Sequence, residues 1–189
     1  MKKLTAFFGA ILLGFVLVSC TNNPKEDILK DIDTFFDQEV ATLNGINDAD
    51  GMLAYLDAYD AKIDEFAQNL DSKYPVNDDN IFVGMSKEED DAIMAHLDER
   101  YDGLWSIINE KGGKMMEPYI VNLETIVENL VNDLSNDAKV DYDEVTANIL
   151  AAYDDIEKYA ILGTEEQYNR FSEVDAIVCM LYGIDEEEE

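Results

Sequence analysis

From Pro24 onward, apolar residues recur at spacings of three and four, the period of an amphipathic helix, rather than at the spacing of two that marks a strand. Ile28, Ile32, Phe35, Phe36, Val40 and Leu43 form a first stripe, ended by Gly45. Met52, Leu56, Tyr59, Ile63, Phe66 and Leu70 form a second, with the alternating four-three spacing of an a/d seam. Pro75 with Asn77, Asp78, Asp79 and Asn80 marks the longest loop, and Ile81-Phe82-Val83 is too short to found a sheet. Ser86 followed by Glu89 has the spacing of a capping box and opens a third helix carrying Ile93, Leu97, Tyr101, Leu104 and Ile108, with Gly112-Gly113 as its stop. Pro118 suits the start of a fourth, with Leu123, Ile126, Val127, Leu130 and Leu134 inward. Asp141 caps a fifth that runs through Val145, Ile149, Ile156 and Ala160 to Gly163. Thr164 with Gln167 makes a second capping box and opens a sixth, carrying Tyr168, Phe171, Val174, Val178 and Leu181 to Gly183. The pattern predicts an all-α fold: a single helical bundle of about six amphipathic helices over residues 24–183, followed by an acidic, solvated tail at 184–189.

Composition narrows what such a bundle does. Hydrophobic residues make up 47% of 189, enough for a core, so a net charge of −30 does not imply disorder. That charge excludes nucleic acid as a partner, because phosphate backbones are held by Lys and Arg. The two cysteines, Cys20 and Cys179, make no disulfide framework. Cys179, among Ile177, Val178 and Leu181, reads as a small buried hydrophobe with no cation nearer than Arg170 to activate it. The single histidine, His96, flanks an apolar stripe and reads as a boundary residue. Trp105 and the ten tyrosines fall mostly on the stripes or their edges, where packing accounts for them as well as sugar stacking does. No nucleophile elbow, phosphate loop or dinucleotide fingerprint appears. The expectation is a non-enzymatic protein with no cofactor and no catalytic or metal-binding residue assigned.

The first twenty residues carry an address. Met1-Lys2-Lys3 is a short basic start, and Leu4 to Ser19 is apolar apart from Thr5 and Ser19, too short for the ~20 residues that span a bilayer as a helix. These features describe a secretory signal for the general export pathway, residues 1–19. Leu17-Val18-Ser19-Cys20 resembles the lipobox of bacterial lipoproteins. The resemblance implies a diacylglycerol thioether on Cys20, cleavage before it, acylation of the new amine with palmitate-like chains, and attachment to a membrane through that residue. Residues 20–23 are then anchor and linker. Thr21 replaces the aspartate that resembles an inner-membrane retention signal, which favours the outer membrane. Lys25-Glu26-Asp27 resembles the export tag of surface lipoproteins, and serves equally as the dipole-matched first turn of a helix. The membrane is the expected partner, with a protein partner of unidentified class left open.

One internal segment resembles a metal site. Asp133 to Glu144 is similar to an EF-hand calcium loop, with oxygen-bearing residues at positions 1, 3, 5 and 9, an aliphatic at 8 and Glu144 at 12. Ala138 stands where that family places glycine, and Asn132 where it places a hydrophobe. A calcium-binding module is therefore the alternative expectation, against an acidic capped turn between two helices.

Overall fold

A computed structural model describes residues 24–77 and 81–183; the segments expected to be signal, lipobox, linker and acidic tail lie outside them. The described residues form five α-helices: α1 (Pro24–Gly45), α2 (Ala49–Lys73), α3 (Lys87–Ser135), α4 (Tyr142–Tyr159) and α5 (Glu165–Tyr182), with a 3-10 turn at Ala160–Leu162. The all-α expectation holds, and among the described residues Val76 and Phe82 make only an isolated bridge.

The number of helices differs from the expected six because α3 joins two of them. It runs through Gly112, Gly113 and Pro118 without a break. Pro118 removes one N–H and crowds the carbonyl four residues back, a cost of about 3 kcal/mol in a helix interior. The burial of Met116, Ile120 and Leu123 around it works against that cost. The glycines are there for close approach. A Cβ on Gly112 would lie 3.0 Å from the Leu162 carbonyl oxygen, and one on Gly113 would lie 2.7 Å from Thr164 Cγ2.

The chain divides into two compact units, one built from Met1–Ile46 with Ala54–Ser106, the other from Asn47–Leu53 with Ile107–Glu189. In the first, the contacts set the helix directions. Glu39 pairs with Lys62, Phe35 stacks on Phe66 and Asp31 pairs with Lys73, so residue numbers rise along α1 as they fall along α2 and the two are antiparallel. Asp33 meets His96 and Asp37 meets Arg100, so the opening stretch of α3 runs parallel to α1. Ile28, Ile32 and Phe36, with Leu70, Ile93 and Leu97, fill this core. Between α2 and α3 the backbone turns as a short hairpin: Val83 N–H donates to the Pro75 carbonyl (2.9 Å) and Asn77 N–H to that of Ile81 (2.8 Å). Gly84, at φ +89°, takes the left-handed conformation that side chains disfavour. The Ser86–Glu89 capping box then forms in both directions, at 2.9 and 3.3 Å.

In the second unit, Ile120, Leu123, Val127 and Leu130 of α3 share the core with Ile149, Ala152 and Ile156 of α4 and Val174 and Val178 of α5. Asp141 caps α4, and Thr164 with Gln167 caps α5 in a full box. Gly183 closes α5 at φ +64°. The inward face of α5 is displaced from the expected one: Tyr168 and Leu181 are exposed, while Gln167 is buried. The buried series is therefore Gln167, Val174 and Val178, with a polar residue in a core position.

Candidate functional site

Two places in the first unit gather chemistry-bearing side chains. The first is an open groove of about 240 Å³ between α1 and α2, lined by Phe35, Phe66 and Leu70 with Asp31, Gln38 and Lys73 among its polar residues. Its floor is the Phe35–Phe66 stack, with ring centroids 4.1 Å apart and planes 9° from parallel. At its edge Lys73 Nζ donates to Asp31 Oδ2 at 2.6 Å and Tyr74 Oη donates to the same oxygen at 2.9 Å. The Asp31 bond holds the Lys73 amine above its ordinary pKa, so it stays charged. Asp31 is the carboxylate among the groove's lining residues, and both bonds fall on its Oδ2. Its volume also falls below the roughly 300–1,000 Å³ of small-molecule sites.

The second place is an aromatic and polar cluster. The ring centroids of Tyr55 and Tyr59, Tyr59 and Trp105, and Trp105 and Tyr101 follow one another at 5.8, 6.2 and 6.1 Å. Glu39 is buried at the same level of α1 and is held by Lys62 Nζ at 3.0 and 3.2 Å. Burial first, and then Glu39, pushes the Tyr55 hydroxyl pKa far up, and burial does the same to Tyr59. Both hydroxyls stay protonated at physiological pH. Tyr55 Oη, Tyr59 Oη and Trp105 Nε1 are buried and have no hydrogen-bond partner among the described residues. Tyr55 and Tyr59 are core residues, and Tyr101 and Trp105 are half-buried at its edge.

The residues singled out in the sequence are dispersed. His96 Nε2 lies 2.9 Å from Asp33 Oδ1, and Arg100 bonds Asp37 and approaches Asp33, so the histidine ties α3 to α1 at a partly exposed boundary. Cys179 is half-buried, more exposed than a core hydrophobe, because Val174 and Val178 take the inward positions of α5. Cys20 lies outside the described residues.

The segment 133–144 folds as a helix exit and a helix entry. Ala138 N–H donates to the Asp133 carbonyl (2.9 Å) and Asp137 N–H to that of Leu134 (3.3 Å), the bond pair of a Schellman ending, with Asp137 at φ 54°. The left-handed residue is thus Asp137, not Ala138, which explains why no glycine is needed at 138. Asp141 Oδ1 accepts from Glu144 N–H at 3.2 Å as the cap of α4. Among the described residues, no group of three or more His, Cys, Asp or Glu side chains is placed to hold a metal ion. Replacing Asp141 with alanine is expected to remove about 1 kcal/mol of stability by loss of the cap. Thermal unfolding with and without millimolar calcium checks this: the same loss in both identifies a cap, and a loss only with calcium identifies a ligand.

Sequence patterning missed the most elaborate polar arrangement, which lies in the second unit. Arg170 donates through Nε and Nη2 to both oxygens of Glu124 (2.8 and 2.7 Å) and through Nη1 to Glu117 (2.8 and 3.0 Å). Gln167 Nε2 donates to the Gly113 carbonyl and to Glu117 Oε2, both at 2.8 Å. The Gln167 bond and then the Arg170 bonds hold the Glu117 carboxyl below its ordinary pKa. The spacing of Gln167 and Arg170 on one helix, and of Glu117 and Glu124 on another, is the only trace in the sequence. It becomes legible only once the two helices are known to be neighbours. All these donors and acceptors face one another, so the group acts as a clamp between α3 and α5.

No family model, no curated protein and no solved structure matches this chain.

Proposed function

We propose that the chain is a lipoprotein of the bacterial cell envelope, anchored by acyl chains on Cys20, whose helical body has a non-catalytic binding or structural role. The observation that carries the reading is Leu17-Val18-Ser19-Cys20 at the end of an apolar run that begins behind Met1-Lys2-Lys3. Each buried CH₂ of an acyl chain contributes about 0.8 kcal/mol, so two or more chains hold a protein where one holds it only marginally. Thr21 points to the outer membrane, and loss of Lys2 and Lys3 with the signal leaves the body more acidic than −30. No helix among the described residues is long and apolar enough to cross a membrane. The non-catalytic part of the reading is supported by the use made of the polar side chains: His96, Glu39 and Arg170 are each engaged in ties between helices.

Metabolic labelling with a clickable palmitate tests the anchor. The native chain is expected to carry the label and to sediment with membranes. Cys20→Ser is expected to lose the label and to leave the mature, cleaved form unmade. Equal labelling of the two, or none in either, rejects the proposal. Protease treatment of intact cells then assigns the face: digestion places the body outside, protection places it in the periplasm.

A further inference from the structure

We infer that one end of the first unit, made by the opening turn of α1 and the link at Val83, Gly84 and Met85 that leads into α3, rests on the bilayer surface. This inference depends on the lipidation of Cys20 proposed above. The helix directions bring the two elements together. With α2 antiparallel and α3 parallel to α1, the end of α2 and the start of α3 lie at the Pro24 end, and the hairpin joins them. Direct contacts agree. Tyr74, the last residue before the hairpin, bonds Asp31 in the second turn of α1. Phe82 N–H donates to Asp90 Oδ1 in the first turn of α3 at 3.2 Å. The Glu89 carboxyl is held below its ordinary pKa by the Ser86 backbone and hydroxyl, and Lys25 of α1 adds to the effect.

The length of chain before α1 selects the occupant. Four residue steps separate Cys20 from Pro24, about 14 Å when fully extended. A thioether at the membrane surface therefore keeps Pro24, the start of α1, within that distance of the headgroups, whatever path the linker takes. One apolar side chain is exposed there, among the charged residues Glu26, Lys87 and Glu88. Val83 is 56% exposed while its N–H is already bonded to Pro75, so the side chain meets the surroundings without leaving an unpaired backbone donor. Met85 is half-buried beside it. A chain at −30 is repelled by anionic headgroups, so the contact is apolar, shallow and suited to a zwitterionic surface.

The test uses the lipid-modified full chain in phosphatidylcholine vesicles. In a Cys179→Ser background, Val83→Cys and Thr42→Cys each carry an environment-sensitive fluorophore. Thr42 is exposed near the other end of α1, about 27 Å further along the helix. The probe at 83 is expected to shift to the blue on reconstitution, and to be quenched several-fold more than the probe at 42 by nitroxide-bearing lipid. Equal quenching at both positions, with the chain co-floating with vesicles, overturns the inference and leaves the anchor standing. Failure of the chain to co-float overturns both. A blue shift at 83 that grows with protein concentration in detergent, without vesicles, assigns this end to a second copy of the chain and also overturns the inference.

Discussion

Gln167→Glu is expected to destabilise the protein by about 3 kcal/mol at neutral pH, although the two side chains have nearly the same shape. The glutamine amide donates to the Gly113 carbonyl and to Glu117, while its oxygen accepts from Thr164 N–H at 3.0 Å. Glutamate keeps the last of these, since a capping box accepts either residue. It loses both donors and sets a second negative charge against Glu117 and a carbonyl oxygen, at a residue that is 5% exposed. Stranding a buried hydrogen-bonding group costs about 1–3 kcal/mol, and an unpaired buried charge costs more. The defect has a pH signature. A carboxyl at 167 has its charged form disfavoured, so its folded pKa lies above its unfolded value of about 4.3. The charge part of the penalty is complete above the folded value and vanishes as pH falls below the unfolded one, while a protonated carboxyl still donates once where the amide donated twice. Glu117 in the native chain has the opposite sign: its lowered pKa stabilises the fold above the ordinary glutamate range, and that contribution is lost on acidification. The gap between native and variant therefore narrows from both sides as pH falls. Urea unfolding at pH 7 and pH 4, both chains in a Cys20→Ser background, measures it, with Gln167→Leu as the uncharged control whose deficit persists.

The same substitution at two glycines of α3 is expected to have opposite signs. Gly103→Ala should stabilise by about 1 kcal/mol, the helix-propensity difference, because a Cβ there meets nothing within 4 Å. Gly113→Ala gains the same propensity and still loses about 1–3 kcal/mol net. Its Cβ would lie 2.7 Å from Thr164 Cγ2. That methyl cannot swing aside freely, because Thr164 Oγ1 accepts from Gln167 N–H in the capping box. Relief of the clash costs the cap, about 1 kcal/mol, and overpacking typically adds 1–3 kcal/mol. Gly112→Ala meets a backbone oxygen at 3.0 Å and should fall between the two. Equilibrium unfolding of the three variants side by side is decisive: a stabilised Gly113→Ala would mean that α3 and the Leu162–Thr164 turn are not held at this spacing.

Helix periodicity and capping are local properties, and they were legible from the residues alone. Stripes at spacings of three and four found four of the five helices as single elements, and the boxes at Ser86–Glu89 and Thr164–Gln167 formed as their spacing requires. The address proposed at Cys20 is likewise read from consecutive residues, and it lies outside the described residues. What tertiary structure decided is every case in which a local signal had two readings. Gly112-Gly113 and Pro118 signal a break in isolation, but α3 passes through them because the glycines admit the Leu162–Thr164 turn against the helix. Within Asp133 to Glu144, the tertiary structure made Asp141 the cap of α4 and put the left-handed residue at 137. Gln167 reads as a capping residue only, until Gly113 and Glu117 arrive from 50 and more residues away and make it a buried hinge-point of hydrogen bonds. A spacing rule reports which face a residue takes along its own helix; which partner meets that face depends on chain closure over long separations, and only the packed structure supplies it.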